Sequence, residues 1–460
     1  MKQQQTEEFY INLGRLTLSL TDPNNFRPIS LLSVVSKPLE RHIHTHMQKF
    51  LEQHNLLHAL QSGYRKSHSC HTALIHLVDR WIEAVNDEKM SGVVFLDLRK
   101  AFDLVNHDIL LQKLSAYHFS KDSVSLIQSY LENRTQYVSI GGKKSPEGFT
   151  TQGVPQGSIL GPLLFSIFIN DLPLHISHTD VTYSLFADDS SIDVAASDVQ
   201  SMTNVLQRSL NEVSAWCDTN CMIPHPQKTK CMLVTTRQKH QLNPPPLGLS
   251  LNGTPIEQVT EYNVLGVVVD EQLSWHAHTN MVSKKLSKNL HLLSRLKQFT
   301  DEDTRKIFCN AHILPHINYC STVWDGCSDA CLEQMNSQYR RAARLVFDQT
   351  VITDCNTDEK MSLLGMLPLR QHHLYNKLVM MRKATLHKTP SYISNLITKN
   401  KSPYETRGNP LDYPKPRIDF CKQSFTYSGP HAWNILPKHL KSISSLPTFK
   451  ERVHKYLIDT

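Results

Sequence analysis

The chain has 460 residues, 40% of them hydrophobic and 20% charged, an ordinary balance for a folded protein with room for two or three domains. A formal net charge of +7 favours a polyanionic partner over a free metabolite. The most apolar stretch, residues 159–169, is too short to cross a bilayer and carries Gly161 and Pro162, which argues against a membrane protein. Ten cysteines without a disulfide-like framework, and no signal-peptide pattern at the start, fit a reducing intracellular compartment, nucleus or cytoplasm alike.

Residues 1–21 show no periodicity and are expected to be irregular. Asp22-Pro-Asn-Asn-Phe-Arg-Pro-Ile-Ser-Leu-Leu32 reads as a loop running into a helix that holds Lys37, Glu40 and Arg41. Gln61 to Lys66 is a turn with two cations, followed by a helical pattern from Thr72 to Ala84. An apolar strand then ends in Asp97, with helix-like stretches from Lys100 to Ala116 and from Val124 to Asn133 and a hairpin around Gly141-Gly142. The glycine-rich loop Thr150 to Ser158 opens an apolar helix to Asp171. Tyr183 to Phe186 reads as a buried strand, Asp188-Asp189 as a hairpin tip and Ile192 to Ala196 as the returning strand. A helix from Val199 to Cys217 precedes strand candidates at Cys231–Thr235, Leu247–Leu251 and Tyr262–Val269. Strands and helices mixed without strict alternation give an α+β class.

After Trp275 the text is helical. Leu286, Leu290 and Leu293 form an apolar stripe, and Lys284, Lys288 and Arg295 fall roughly 200° away by the 3.6-residue period. That cationic face is either a solvated surface or a stripe that meets phosphates. Cys309, His312, His316, Cys320, Cys327 and Cys331 lack paired zinc-ligand spacing and read as buried thiols and surface histidines. More helices follow in the last hundred residues, ending in an amphipathic stretch with Phe449, Val453 and Leu457.

Adjacent carboxylates at a hairpin tip repel each other and lose solvation, a cost offset where a cation sits beside them. Asp97, Asp188 and Asp189 stand on the ends of two apolar strands and together form a candidate cage for hard divalent ions. An acidic surface turn is the plain alternative. The surrounding text is more specific. Phe95-Leu-Asp-Leu-Arg-Lys-Ala-Phe-Asp-Leu-Val-Asn-His107, Gln152-Gly-Val-Pro-Gln-Gly-Ser-Ile-Leu-Gly-Pro-Leu-Leu-Phe165 and Leu185-Phe-Ala-Asp-Asp189 occur in that order. Together they resemble the palm motifs of reverse transcriptases of LINE-type (non-LTR, jockey-like) retrotransposons. The resemblance continues through Asn25-Phe-Arg-Pro-Ile-Ser-Leu31, Gln61-Ser-Gly-Tyr-Arg65, Lys228-Thr-Lys230, Leu265-Gly-Val267 and Trp433-Asn-Ile-Leu-Pro437.

The resemblance implies a right-hand polymerase fold: fingers and palm over residues 22–277, a helical thumb over 278–350 and a helical C-terminal region over 351–460. It implies RNA-directed DNA polymerase activity with two Mg2+ ions, an RNA template, a DNA primer and dNTPs. Asp97, Asp188 and Asp189 would form the acidic site, with the Leu98 carbonyl as a further metal ligand. Phe102 would be the steric gate against a ribose 2′-hydroxyl, or else a core residue of a helix start. Gln156 and Gly157 would line the nucleotide pocket, where a glycine allows close backbone approach. Arg65 would clamp the triphosphate, a role for which Arg suits better than Lys66. Lys228, with Lys230 as a rival, would protonate the pyrophosphate. Lys284, Lys288 and Arg295 would face the primer–template duplex.

Two departures stand out. Pro224-His225-Pro226 places two prolines, which lack backbone donors, just before Lys228. Phe9 to Leu20 does not read as the basic strand the family has upstream. The length also leaves no room for the endonuclease of LINE-type polyproteins, so a separate endonuclease is an expected partner. The alternative is a truncated, inactive nucleic-acid-binding relic.

Overall fold

The computed structural model describes residues 6–12, 27–140, 143–347, 361, 365–399 and 411–459. Its organising element is the strand Met90–Leu96, every residue of which is buried. It pairs antiparallel with Asp189–Ala196 on one side and with Lys230–Val234 on the other. The sheet runs Glu257–Gln258, Lys230–Val234, Met90–Leu96, Asp189–Ala196, Val181–Phe186.

An antiparallel strand buried at every position must be covered on both faces. Val93 and Phe95 share a core with Trp81 on the helix Cys70–Asn86 and with much of the chain after residue 267. Val94 and Leu96 point the other way, into a core built with the helices Gly161–Ile169 and Val199–Thr219. The period-2 alternation of one strand therefore divides the molecule into two cores.

A second sheet joins Arg27–Leu31, Thr6–Asn12, Thr135–Ile140 and Lys143–Lys144. The N-terminus is thus not irregular throughout. Thr6–Asn12 is a strand, antiparallel to Arg27–Leu31 and parallel to Thr135–Ile140. Its pairing comes from distant partners, which local pattern does not reveal. Residues 13–26 and the expected Gly141-Gly142 turn lie outside the described residues.

Three elements are shorter than the pattern suggests, and of the strand expected at Leu247–Leu251 only Ser250–Leu251 forms. The helix expected from Lys100 begins only at His107, where the Asn106 side chain caps it by accepting from the Ile109 amide at 3.1 Å. The run from Tyr262 to Val269 breaks into a hairpin, Glu261–Val264 with Val267–Asp270, because Leu265 and Gly266 both take positive φ (48° and 84°). The Asp270 carboxylate accepts from the amides of Ser274 and Trp275 at 2.9 and 2.8 Å, which starts the helix His276–Leu296. On that helix Leu286, Leu290 and Leu293 are buried and Lys284, Lys288 and Arg295 are exposed.

The C-terminal region folds back onto the helix Cys70–Asn86. Buried Asp79 accepts from the amides of Phe425 and Thr426 and from the Thr426 hydroxyl, each at 2.7 Å, and so caps the helix Phe425–Ile435. Trp433, Phe449, Val453 and Leu457 are buried in the same core.

Replacing Asp79 with alanine leaves those donors without an acceptor in a dry interior. Urea unfolding of Asp79→Ala should show a loss of roughly 2–4 kcal/mol. The pH dependence has a definite sign. Burial pushes His71, His76, His278 and His372 down to about 4 and His373 down to about 3. Their contribution to stability is present above their unfolded value of 6.5 and is lost as pH falls towards 4, because the unfolded chain takes up protons the folded one refuses. Asp79 and Asp193, pushed up by burial to about 6, act in the opposite sense between 6 and 3.8. Five groups oppose two, so the urea midpoint should fall between pH 7 and pH 5.

Candidate active site

The acidic tip is set by register. Phe186 pairs with Asp189, leaving Ala187 and Asp188 as a two-residue turn. Ala187 has a φ of 58°, a strained value for a side chain with Cβ, and its amide points at the Gln61 side-chain oxygen 3.4 Å away. The same oxygen accepts from Gly63 N at 2.9 Å. A Cβ on Gly63 would stand 2.5 Å from the Ala187 nitrogen, so only glycine lets this turn press on the hairpin. Across the sheet Leu96 faces Ser190, the residue after Asp189, so Asp97 leaves the strand beside the acidic tip.

One cleft is lined by Asp97, Leu98, Phe102, Gln156, Gly157, Asp188 and Lys228, seven residues that the sequence reading had named. Asp189 is not among them. It lines a second cavity behind the hairpin, with Tyr262 and Tyr392. The negative charge of the tip still reaches its neighbours. The Tyr64 hydroxyl is held above its ordinary value, first by burial and then by Asp188 and Asp189. Tyr262 is raised by burial and then by Asp189 and Asp97.

The opposite wall is knitted to the segment after Asp97. Gly153 N donates to Val105 O at 2.7 Å and Val154 N to Phe102 O at 2.8 Å. Gln156 Nε2 donates to Asp103 Oδ1 at 2.7 Å, and Gly157 has a φ of 104°, which demands glycine there. The Phe102 ring stacks on Phe165 with centroids 4.4 Å apart while still bordering the cleft. Core packing and a wall of the cleft are thus compatible for this side chain.

The two prolines do not displace Lys228. Between them, His225 N donates to Asp97 O at 2.8 Å, and Arg99 N donates to Ile223 O at 2.8 Å. The segment supplies the one amide that its neighbour needs, and the prolines occupy positions where no such donor is used. Lys228 Nζ then lies 4.0 Å from Asp97 Oδ2. Lys230 is held elsewhere, 2.6 Å from Glu257 and 2.7 Å from the Gln227 carbonyl.

Arg65 is not brought to the cleft. Its guanidinium donates to the carbonyls of His58 and Gln61 at 2.9 and 3.0 Å, bracing the turn that supports the hairpin. The cleft instead has Tyr64, Arg99, Lys100 and Asp103 on its walls. Sequence reasoning passed over these four, although all lie inside or beside the motifs quoted. Lys284, Lys288 and Arg295 lie on their exposed helix face, outside the cleft.

Among the described residues no group of three or more His, Cys, Asp or Glu side chains is placed to hold a metal. Asp97 and Asp188, two carboxylates in one cleft, still fit magnesium, which usually takes one or two carboxylates and completes its sphere with substrate phosphates and water. No helix among the described residues is long and apolar enough to cross a membrane.

Residues 19–269 match the family "Reverse transcriptase (RNA-dependent DNA polymerase)". The chain is 28% identical over 344 residues to "Probable RNA-directed DNA polymerase from transposon BS" of Drosophila melanogaster, covering 72% of this chain and 36% of that protein. It is 31% identical over 282 residues to "RNA-directed DNA polymerase from mobile element jockey" of the same organism, covering 60% and 30%. The chain thus spans about a third of the length of the curated relatives it matches. A solved telomerase from Candida albicans aligns at 12% identity with a TM-score of 0.42, over 98% of this chain and 64% of that one, too slight a likeness to argue from. Family membership carries a general dependence on divalent metal and makes the sheet around Met90–Leu96 the palm of a right-hand polymerase fold. The chain belongs to the reverse transcriptase family, and within it to the kind carried by LINE-type, non-LTR retrotransposons.

Proposed function

We propose that this chain is an RNA-directed DNA polymerase that extends a DNA primer with dNTPs along an RNA template. The observation that carries the reading is the meeting of Asp97 and Asp188 in one cleft, faced by Phe102 and Gln156-Gly157 and bordered by Lys228. Residues 22–277 are assigned to fingers and palm, 278–350 to the thumb and 351–460 to a C-terminal region.

In this reading Asp97, Asp188 and the Leu98 carbonyl hold magnesium, with Asp189 adding negative charge from the back of the hairpin. Two ions so held would supply charge neutralisation at the attacking and leaving oxygens. The primer 3′-hydroxyl gives up its proton to solvent and its oxygen bonds to the α-phosphorus, while the bond from that phosphorus to the pyrophosphate oxygen breaks. Lys228 is assigned the proton that the departing oxygen takes up, and its distance to Asp97 supports that role. Arg99 and Lys100, both exposed on the wall of the cleft, are assigned to the triphosphate in place of Arg65. Phe102 is assigned the gate that disfavours a 2′-hydroxyl. The thumb face of Lys284, Lys288 and Arg295 would grip the duplex backbone without reading sequence.

Primer extension on an RNA template with magnesium should show incorporation by the wild type and at least about 100-fold less by Asp188→Asn. Equal incorporation by both, or none by either, would sink the enzyme reading and leave the non-catalytic relic. Separately, replacing Lys284, Lys288 and Arg295 together by alanine should reduce the slope of log affinity against log salt for primer–template by roughly 2–3. Fluorescence anisotropy across a salt series reads that slope, and an unchanged one rules out the thumb contact.

A further inference from the structure

The C-terminal region reaches the back of the acidic hairpin through one side chain. Tyr392 stands on the short helix Ser391–Ser394, next to Ile393, which is fully buried. Its hydroxyl lies 2.8 Å from Ser62 Oγ, 330 positions away in sequence, and donates to Thr72 Oγ1 at 3.3 Å. Its ring is fitted between His76 and His68, with centroids 4.9 and 5.8 Å away. Ser62 is itself buried, and its amide donates to Leu185 O at 2.8 Å, on the strand that leads into the tip. The neighbours on either side, Gln61 and Gly63, press on Ala187 as described. A continuous path of hydrogen bonds thus runs from Tyr392 through Ser62 to the hairpin that presents Asp188. The cavity that Tyr392 lines is bordered by Asp189 as well.

We propose that Tyr392 is a positioning residue for the acidic hairpin: through Ser62 it fixes the Gln61-Ser62-Gly63 turn that sets where Asp188 stands. The inference rests on the polymerase reading for its kinetic consequence, but not for its structural one. A phenolic hydroxyl suits the task because it can donate to Thr72 while accepting from Ser62, holding two elements at once. Its removal frees the Ser62 side chain and leaves the ring packing in place.

The test uses the full chain, with Tyr392→Phe, Ser62→Ala and the double variant. Hydrogen exchange of residues 183–192 should quicken about fivefold in each variant, while residues 90–96 keep their protection. In primer extension with magnesium, kcat should fall about fivefold, the magnesium needed for half-maximal rate should rise, and KM for primer–template should stay unchanged. The double variant should lose no more than either single one, as expected of one shared path. Unchanged exchange in Tyr392→Phe, or losses that simply add in the double variant, overturns the proposal. A wild type without polymerase activity would refute the function proposed above, and the exchange result would still decide the role of Tyr392.

Discussion

The site depends on the burial of a single strand. Met90–Leu96 is hydrogen-bonded along both edges, covered on both faces and buried at every residue, so its position is tightly fixed. Asp97 is the first residue past that buried run, and it inherits the strand's rigidity while gaining access to solvent. The peptide of Asp97 is also bound on both sides, its amide to Thr229 Oγ1 at 3.2 Å and its carbonyl to the His225 amide. A carboxylate meant to hold ions in fixed geometry gains from such a base, since positional error there is costly.

Around that strand the remaining parts differ in how they are held. The hairpin bearing Asp188 adopts an unfavourable turn at Ala187 and relies on the Gln61-to-Gly63 turn pressing against it. The Lys228 loop is tied to the end of the strand by the His225 amide, the Ile223 carbonyl and the Thr229 hydroxyl. Strain of this kind persists only where surrounding structure over-determines it, and it gathers where function needs a defined geometry.

Part of this was legible in the sequence, because apolar runs ending in Asp97 and before Asp188-Asp189 marked a candidate acidic cage and the order of the surrounding motifs made it specific. Phe102 and Gln156-Gly157 were implied only by the resemblance to reverse transcriptases, and the fold brings them into one cleft with Asp97 and Asp188. The apolar stripe of Leu286, Leu290 and Leu293 on the helix His276–Leu296 was plain from the helical period. What sequence missed was non-local. The strand Thr6–Asn12 owes its state to partners at 27–31 and 135–138, and no periodicity of its own announces it. Arg65 looked like a phosphate clamp by residue type, yet two backbone carbonyls within seven positions claim its guanidinium. The late start of the helix at His107 follows from the Asn106 cap, a signal that was present and outweighed by the apolar pattern around it.

The capping of Phe425 and Thr426 by Asp79 ties together residues 346 and 347 positions apart. Protein synthesis delivers the chain from its N-terminus at about 5–20 residues per second, so Asp79 waits roughly 20–70 s for its partners to be made. During that interval the helix Cys70–Asn86 and the Val93–Phe95 face of the palm strand have no C-terminal cover. The palm strand therefore acquires its final packing on that face only after residues 425 and 426 have been made.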